Sequence, residues 1–262
     1  MIARVAVSAK GLVKRYGKRR ALDGFTLDVP VGCVMGLVGP NGAGKTTWMM
    51  SVAGLLRAES GTIGLFGTSQ PFDAALHSGR LAILPQDSEL PLESTPESFL
   101  AGLARLQGLS KDAAKESVAK ILEAVNLADR ARTSIRSLSH GMRKRLMAAQ
   151  CFLGSPELIL LDEPMNGLDP EEAARFRNLI LSRAESCTVV VSSHNLADLE
   201  RLCTHVTFVR DGKVVKTAAL KDLTADGASL EDVYLGGVAK NGEALTPRAT
   251  CFASSAPPRT IP

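Results

Sequence analysis

"LVGPNGAGKTTWMM", Leu37 to Met50, sets three glycines between an apolar run and a stretch of helical character. A strand, a Gly-rich turn and a helix start, joined in that order, make an anion site, because the turn's N–H groups and the positive end of the helix point the same way. From Gly39 to Thr46 the stretch fits G-x-x-x-x-G-K-[ST]. Its flanks agree: "VMGLV" reads as a buried strand and "TTWMMSVAGLL" as an amphipathic helix running to Leu56. Phosphate is the natural guest, carried on a nucleotide. Gly39, Gly42 and Gly44 let the backbone come close and permit positive φ, so that successive amides wrap the β-phosphate, and Pro40, Asn41 and Ala43 complete the nucleotide-binding loop. Lys45 adds a charge for the β- and γ-oxygens, the Thr46 hydroxyl suits Mg²⁺, and Thr47 reaches toward the α-phosphate.

Working outward, 262 residues suffice for a sizeable core without disulfide staples, as one domain carrying a subdomain. No apolar run approaches the roughly 18 residues that a membrane helix needs. The N-terminus "MIARVAVSAK" lacks the apolar core and cleavage site of a secretory signal, so a cytosolic home is expected. Five cysteines without C-x-x-C pairing argue against a disulfide framework or a zinc knuckle; most are expected to be buried, reduced and inert. The net charge of +4 is unevenly spread, with basic spots at "KRYGKRR" (Lys14 to Arg20) and "RKR" (Arg143 to Arg145). They read either as a footprint for nucleic acid or anionic lipid, or as solvated faces complementary to nucleotide phosphates. Without interleaved aromatics the second reading is preferred, and no nucleic-acid partner is expected.

Up to about Val38 the chain alternates apolar and polar residues, which predicts a β layer at the N-terminus. "CVMGLVG", "LAILPQ", "LILLDEP", "CTVVVSSH" and "HVTFVRDG" are short, heavily apolar and separated by helical stretches, the pattern of a parallel sheet covered on both faces. Between Thr95 and Gln150 three segments with three-to-four spacing predict a helical insertion, at "PESFLAGLARLQGL", "KDAAKESVAKILEAVNL" and "SHGMRKRLMAAQCFLG". "GTSQPFDAALHSGR" reads as a linker or a short helix. From Gly236 the composition turns to Gly, Ala, Ser and Pro, predicting a disordered tail over 236–262.

"LILLDEP" ends a buried strand in Asp162 and Glu163, a carboxylate pair that packing alone would not place there. In a phosphate-loop ATPase the first such group holds Mg²⁺ and the second polarises the attacking water. At this point the chain resembles the nucleotide-binding subunit of ATP-binding cassette (ABC) transporters, of bacterial exporter type. By that resemblance Tyr16 in "KRYG" stacks on adenine, Gln86 in "ILPQD" senses metal and attacking water beside the docking groove, and His194 in "VVVSSHNL" contacts the γ-phosphate. "SLSHGMRKRL" stands at the family signature LSGGQ, with His140 and Met142 departing from it and Ser139 and Gly141 kept to meet ATP. "NGLDP", with Leu168 and Asp169, resembles the turn that links two subunits, and a helix starts at Pro170. The similarity covers Ile2 to Leu235.

The resemblance implies an α/β fold: a P-loop NTPase (RecA-like) core with an N-terminal antiparallel β layer and an inserted α-helical subdomain at about 95–150, residues 1–235 forming one ATPase domain. It implies ATP with Mg²⁺ held by Thr46, Gln86 and Asp162, and catalysis by Glu163, Gln86 and His194. It implies a head-to-tail pair with a second ABC ATPase chain, a homodimer being preferred, driving a separate integral-membrane subunit from the cytoplasmic face. "ASLEDVYL" (Ala228 to Leu235) resembles exporter ATPases, with import left as the alternative. Two other readings stand beside it: an ABC-type ATPase acting on DNA or ribosomes, and a module that binds ATP without hydrolysing it.

Overall fold

The computed structural model of the chain describes residues 4–69, 79–86 and 88–239. The tail from 240 and most of "GTSQPFDAALHSGR" lie outside the described residues. Strands β1 (Val5–Tyr16) and β2 (Arg19–Pro30) form an antiparallel hairpin, to which β4 (Ser60–Leu65) and β5 (Thr68–Ser69) add on the far side of β1, in the order β2-β1-β4-β5. This is the N-terminal antiparallel layer.

The second sheet is built from β3 (Val34–Val38), β6 (Leu81–Leu84), β7 (Leu158–Asp162), β8 (Thr188–Ser192), β9 (His205–Arg210) and β10 (Lys213–Ala219). Among the described residues its order is β10-β9-β3-β8-β7-β6, parallel from β9 to β6 and closed by antiparallel β10. The five apolar segments of the sequence are its five parallel strands. β3, β7 and β8 are buried at every position, as strands covered on both faces must be. The sheet order brings the carboxyl ends of β3, β6, β7 and β8 to one edge, where open α/β sheets hold their ligands.

Helix α1 (Lys45–Val52) follows the phosphate loop and stops four residues short of the predicted Leu56. Gly54, at φ 74°, turns the chain left-handed just past the helix, and the Leu55 and Leu56 amides both bond back to Met50 O. Leu55 is 58% exposed, so the apolar periodicity beyond Gly54 does not reach the core. The helical insertion contains α2 (Pro96–Leu106), α3 (Lys111–Ala124) and α4 (His140–Ala149). Side chains of Thr95, Ser110 and Ser139 cap these three by accepting from Ser98, Ala113 and Met142 amides, each fixing where its helix begins. Then come α5 (Pro170–Ala184), α6 (Leu196–Glu200), α7 (Leu220–Leu223) and α8 (Leu230–Ala239). α5 starts at Pro170 as read, capped by Asp169, whose Oδ1 accepts from Glu172 N at 2.8 Å. α8 continues beyond Gly236 to Ala239.

Two apolar clusters flank the parallel sheet. One packs α2, α3, α4 and α5 against it through residues such as Leu100, Leu122, Phe152, Ile159 and Phe176. The other packs the antiparallel layer and α1 against it through Phe25, Met35, Trp48, Leu160 and Val190. Cys33, Cys151, Cys187 and Cys203 are free and buried. Burial pushes the thiols of Cys33 and Cys151 up to about 12 and that of Cys187 to about 11, so they stay protonated and unreactive. No described helix is long and apolar enough to cross a membrane.

Candidate active site

The loop after β3 is held open from both sides. Gly44 takes φ 112° and caps α1, a conformation that leaves the amides at the helix start without intrahelical partners. A Cβ on Gly44 would approach Ala21 O within 2.5 Å, and Gly42 is also left-handed at φ 79°. Gly39 is not at positive φ. Its requirement is space alone, because a Cβ there would run into the Val209 carbonyl oxygen. The tight turn between β9 and β10 braces the loop, Gly212 N donating to Ala43 O at 2.9 Å while Asp23 N donates to Gly212 O at 2.9 Å.

Lys45 is 6% exposed, and its Nζ donates to Gly39 O at 2.6 Å and Pro40 O at 3.4 Å. Glu163 Oε1 lies 4.0 Å from it. Burial pushes the Lys45 ammonium below its ordinary value, against the pull of Glu163 and then Asp162. Thr46 Oγ1 donates to Asp162 Oδ2 at 2.5 Å, joining the first helical turn to the end of β7. Asp162 is 3% exposed, and its Oδ1 accepts from the Ser192 hydroxyl. The same hydroxyl oxygen accepts from Glu163 N at 2.9 Å, so one residue of β8 fixes both carboxylate positions. Glu163 stands at φ 49°, a strained conformation for a residue with a side chain, as the chain leaves β7. Its Oε2 meets His194 Nδ1 at 2.9 Å, and its buried Oε1 has no hydrogen-bond partner among the described residues.

A cleft of about 360 Å³ brings together Tyr16, Asn41, Gly42, Gly44, Lys45, Thr46, Thr47, Gln86, Asp162 and Glu163. Tyr16 stands at its mouth, 53% exposed. His194 reaches Glu163 from the other side and lines a neighbouring cleft with Asn166, Leu168 and Arg201. Ser139 and Gly141 do not line the nucleotide cleft. They open α4, with Ser139 exposed and its hydroxyl accepting from Met142 N at 3.2 Å. Arg19 and Ser192 are among the residues of the site that escaped the sequence reading. Ser192 left one signal, a polar side chain ending an apolar buried strand. Arg19 lines the cleft and was visible in sequence as one member of a basic run.

The donor set suits a nucleoside triphosphate with a hard cation. A glycine cradle, a buried ammonium held by neutral carbonyls and a hydroxyl paired with a carboxylate are the oxygen and N–H groups that phosphates and Mg²⁺ take. Among the described residues no His, Cys, Asp and Glu cluster forms a transition-metal site.

Known proteins resemble this chain in sequence and in fold. Residues 22–166 match the family described as ABC transporter. The chain is 34% identical over 217 residues to a Nod factor export ATP-binding protein I of Burkholderia orbicola, covering 81% of this chain and 70% of that one. It is 34% identical over 246 residues to a daunorubicin resistance ATP-binding protein of Streptomyces coeruleorubidus, covering 93% and 78%. A solved ATP-binding subunit of an ABC transporter superposes with a TM-score of 0.80 at 28% identity, over 88% of this chain and 98% of that one. The chain therefore belongs to the ABC transporter ATP-binding family, whose members hydrolyse ATP to power transport.

Proposed function

We propose that the chain drives an exporter: two copies close head to tail around two ATP, and closure moves a separate integral-membrane subunit from the cytoplasmic face. One observation carries the reading. The phosphate loop, Gln86 and both carboxylates converge, with His194 joined to them through Glu163, whereas Ser139, which is exposed, and Gly141, which is half-buried against Glu172, lie outside the cleft. A signature that does not meet its own phosphate loop needs a second chain to supply one. The export direction is supported by relatives named for Nod factor export and daunorubicin resistance.

In this reading Tyr16 offers its exposed ring to adenine. The loop amides from Gly39 to Thr47 and the Lys45 ammonium hold the phosphates, and Ser139 and Gly141 of the second copy close on the γ-phosphate. Thr46, Asp162 and Gln86 would hold Mg²⁺, which would supply positive charge against the negative charge of the triphosphate. Glu163 accepts the proton of the attacking water. Its partnerless Oε1 is free to take a hydrogen bond from that water, and His194 on Oε2 keeps the carboxylate turned toward the cleft.

The test is Mg²⁺-ATP hydrolysis by wild type and Glu163→Gln, with mass in solution followed by light scattering. Wild type is expected to hydrolyse, and Glu163→Gln to lose about a hundredfold or more in rate, general-base catalysis contributing about 10²–10⁴, and to accumulate as an ATP-bound dimer. A Glu163→Gln protein that turns over at the wild-type rate would remove Glu163 from the chemistry. For direction, cells lacking the chain should lose efflux; loss of nutrient uptake instead would overturn the export assignment.

A further inference from the structure

The basic run from Lys14 to Arg20 divides by partner once folded. Lys14 Nζ donates to Arg57 O at 2.9 Å, Arg15 Nε is held by Glu59 at 2.8 Å, and Arg20 Nη1 is held by Asp23 at 2.6 Å. Asp23 also takes Lys213 at 3.1 Å. Arg19, like Lys14, rests on a backbone carbonyl, but it alone of these four side chains borders the cleft. Among the described residues no carboxylate faces it; its Nη2 donates to the Gly42 carbonyl at 2.5 Å, and its side chain lines the cleft. A Cβ on Gly42 would run into that guanidinium, so the glycine leaves the room in which Arg19 rests.

Arg19 and Tyr16 are register partners across the β1–β2 hairpin, which puts both side chains on one face, where both border the cleft. Tyr16 marks the base end. Lys45, buried beneath Gly39 and Pro40, marks the end where β- and γ-oxygens lie. Arg19 spans the interval, reaching from the tyrosine's strand partner position to the middle of the loop. In a nucleotide laid along that line, the group in the interval is the α-phosphate. A neutral carbonyl is a poor match for a guanidinium, whose fork prefers an anion with two oxygens.

We propose that Arg19 is a nucleotide-binding residue that takes the α-phosphate, leaving the Gly42 carbonyl as nucleotide enters. This rests on the nucleotide reading of the cleft and adds to it a cation outside the phosphate loop. Because the α-phosphate is common to ATP and ADP, Arg19 holds both alike and does not discriminate substrate from product.

Calorimetric titration of ATP and ADP, each with Mg²⁺, into wild type, Arg19→Ala, Arg19→Lys and Lys18→Ala tests this. Arg19→Ala should weaken both nucleotides equally, by about tenfold, as expected for losing one solvent-accessible charge-assisted hydrogen bond. Arg19→Lys should recover part of the loss, and Lys18→Ala, which does not border the cleft, should stay within about twofold. Unfolding of nucleotide-free Arg19→Ala should match wild type, since the side chain is exposed. Unchanged affinities in Arg19→Ala would reduce Arg19 to a latch on Gly42 and overturn the proposal. A loss confined to ATP would put the guanidinium on the γ-phosphate and overturn it too. If wild type binds neither nucleotide, it is the nucleotide reading of the cleft that fails, before any variant is compared.

Discussion

Lys45 concentrates the electrostatics of the cleft in one residue. Burial holds its ammonium below the ordinary lysine value, while Glu163 and Asp162 offset only part of that. A bound triphosphate brings more negative charge and raises the value again. Between the free and bound values, on the alkaline side, the free protein holds fewer protons at this site than the complex. Binding there takes up protons, and ATP affinity falls as pH rises through that window. Calorimetry in two alkaline buffers of different ionisation heat should show an uptake of up to about one proton, absent in Lys45→Ala. A binding heat that is the same in both buffers would defeat this account. The loop residues were legible in sequence because their chemistry is local: a glycine cradle and the lysine behind it lie within eight positions, Gly39 to Thr46. Arg19 and Ser192 were not, because their partners Gly42, Asp162 and Glu163 are set by strand register and sheet order.

At the scale of elements, two glycines make opposite predictions. A Cβ on Gly39 meets the backbone oxygen of Val209 in β9, which cannot move without shifting the sheet. Gly39→Ala should destabilise the chain by about 1–3 kcal/mol, the usual range for overpacking, and impair nucleotide binding. A Cβ on Gly141 would come within 2.5 Å of the Glu172 carboxylate, the far end of a flexible side chain on α5. Glu172 is itself 3.6 Å from Arg145 of α4 and can swing toward it. Gly141→Ala should therefore change stability by less than about 1 kcal/mol, the helix gain from alanine offsetting the adjustment. Urea unfolding of both variants decides: equal midpoints would mean that the two glycines are not distinguished by what they face. Two helices show what the sequence reads well and what it masks. α5 begins at its Asp169 cap and Pro170 as expected, because those signals are short-range. α1 ended early because Gly54 adopts a left-handed turn that the apolar spacing of Leu55 and Leu56 masked.

Across the whole molecule, the parallel sheet separates two cores that share its strands. Ile159 and Leu160 are neighbours on β7, both fully buried, yet Ile159 faces the helical side and Leu160 faces the antiparallel layer. The apolar runs predicted a sheet covered on both faces; which strand lies beside which was not readable, since pairings such as β3 with β8 join residues 34–38 to 188–192. Sharing a strand should couple the two cores into one unfolding unit. Trp48, the one tryptophan of the chain, lies in the antiparallel-side core, its ring centroid 5.9 Å from that of Phe25. Its fluorescence therefore reports the face that Ile159 does not touch. Ile159→Ala should lower stability by about 2–5 kcal/mol, the usual cost of that cavity. The Trp48 transition should move to lower denaturant with it, overlaying the loss of helical circular dichroism. If circular dichroism shifts while Trp48 fluorescence keeps its wild-type midpoint, the faces melt separately. The sheet would then be a boundary between two folding units and not the member that joins them.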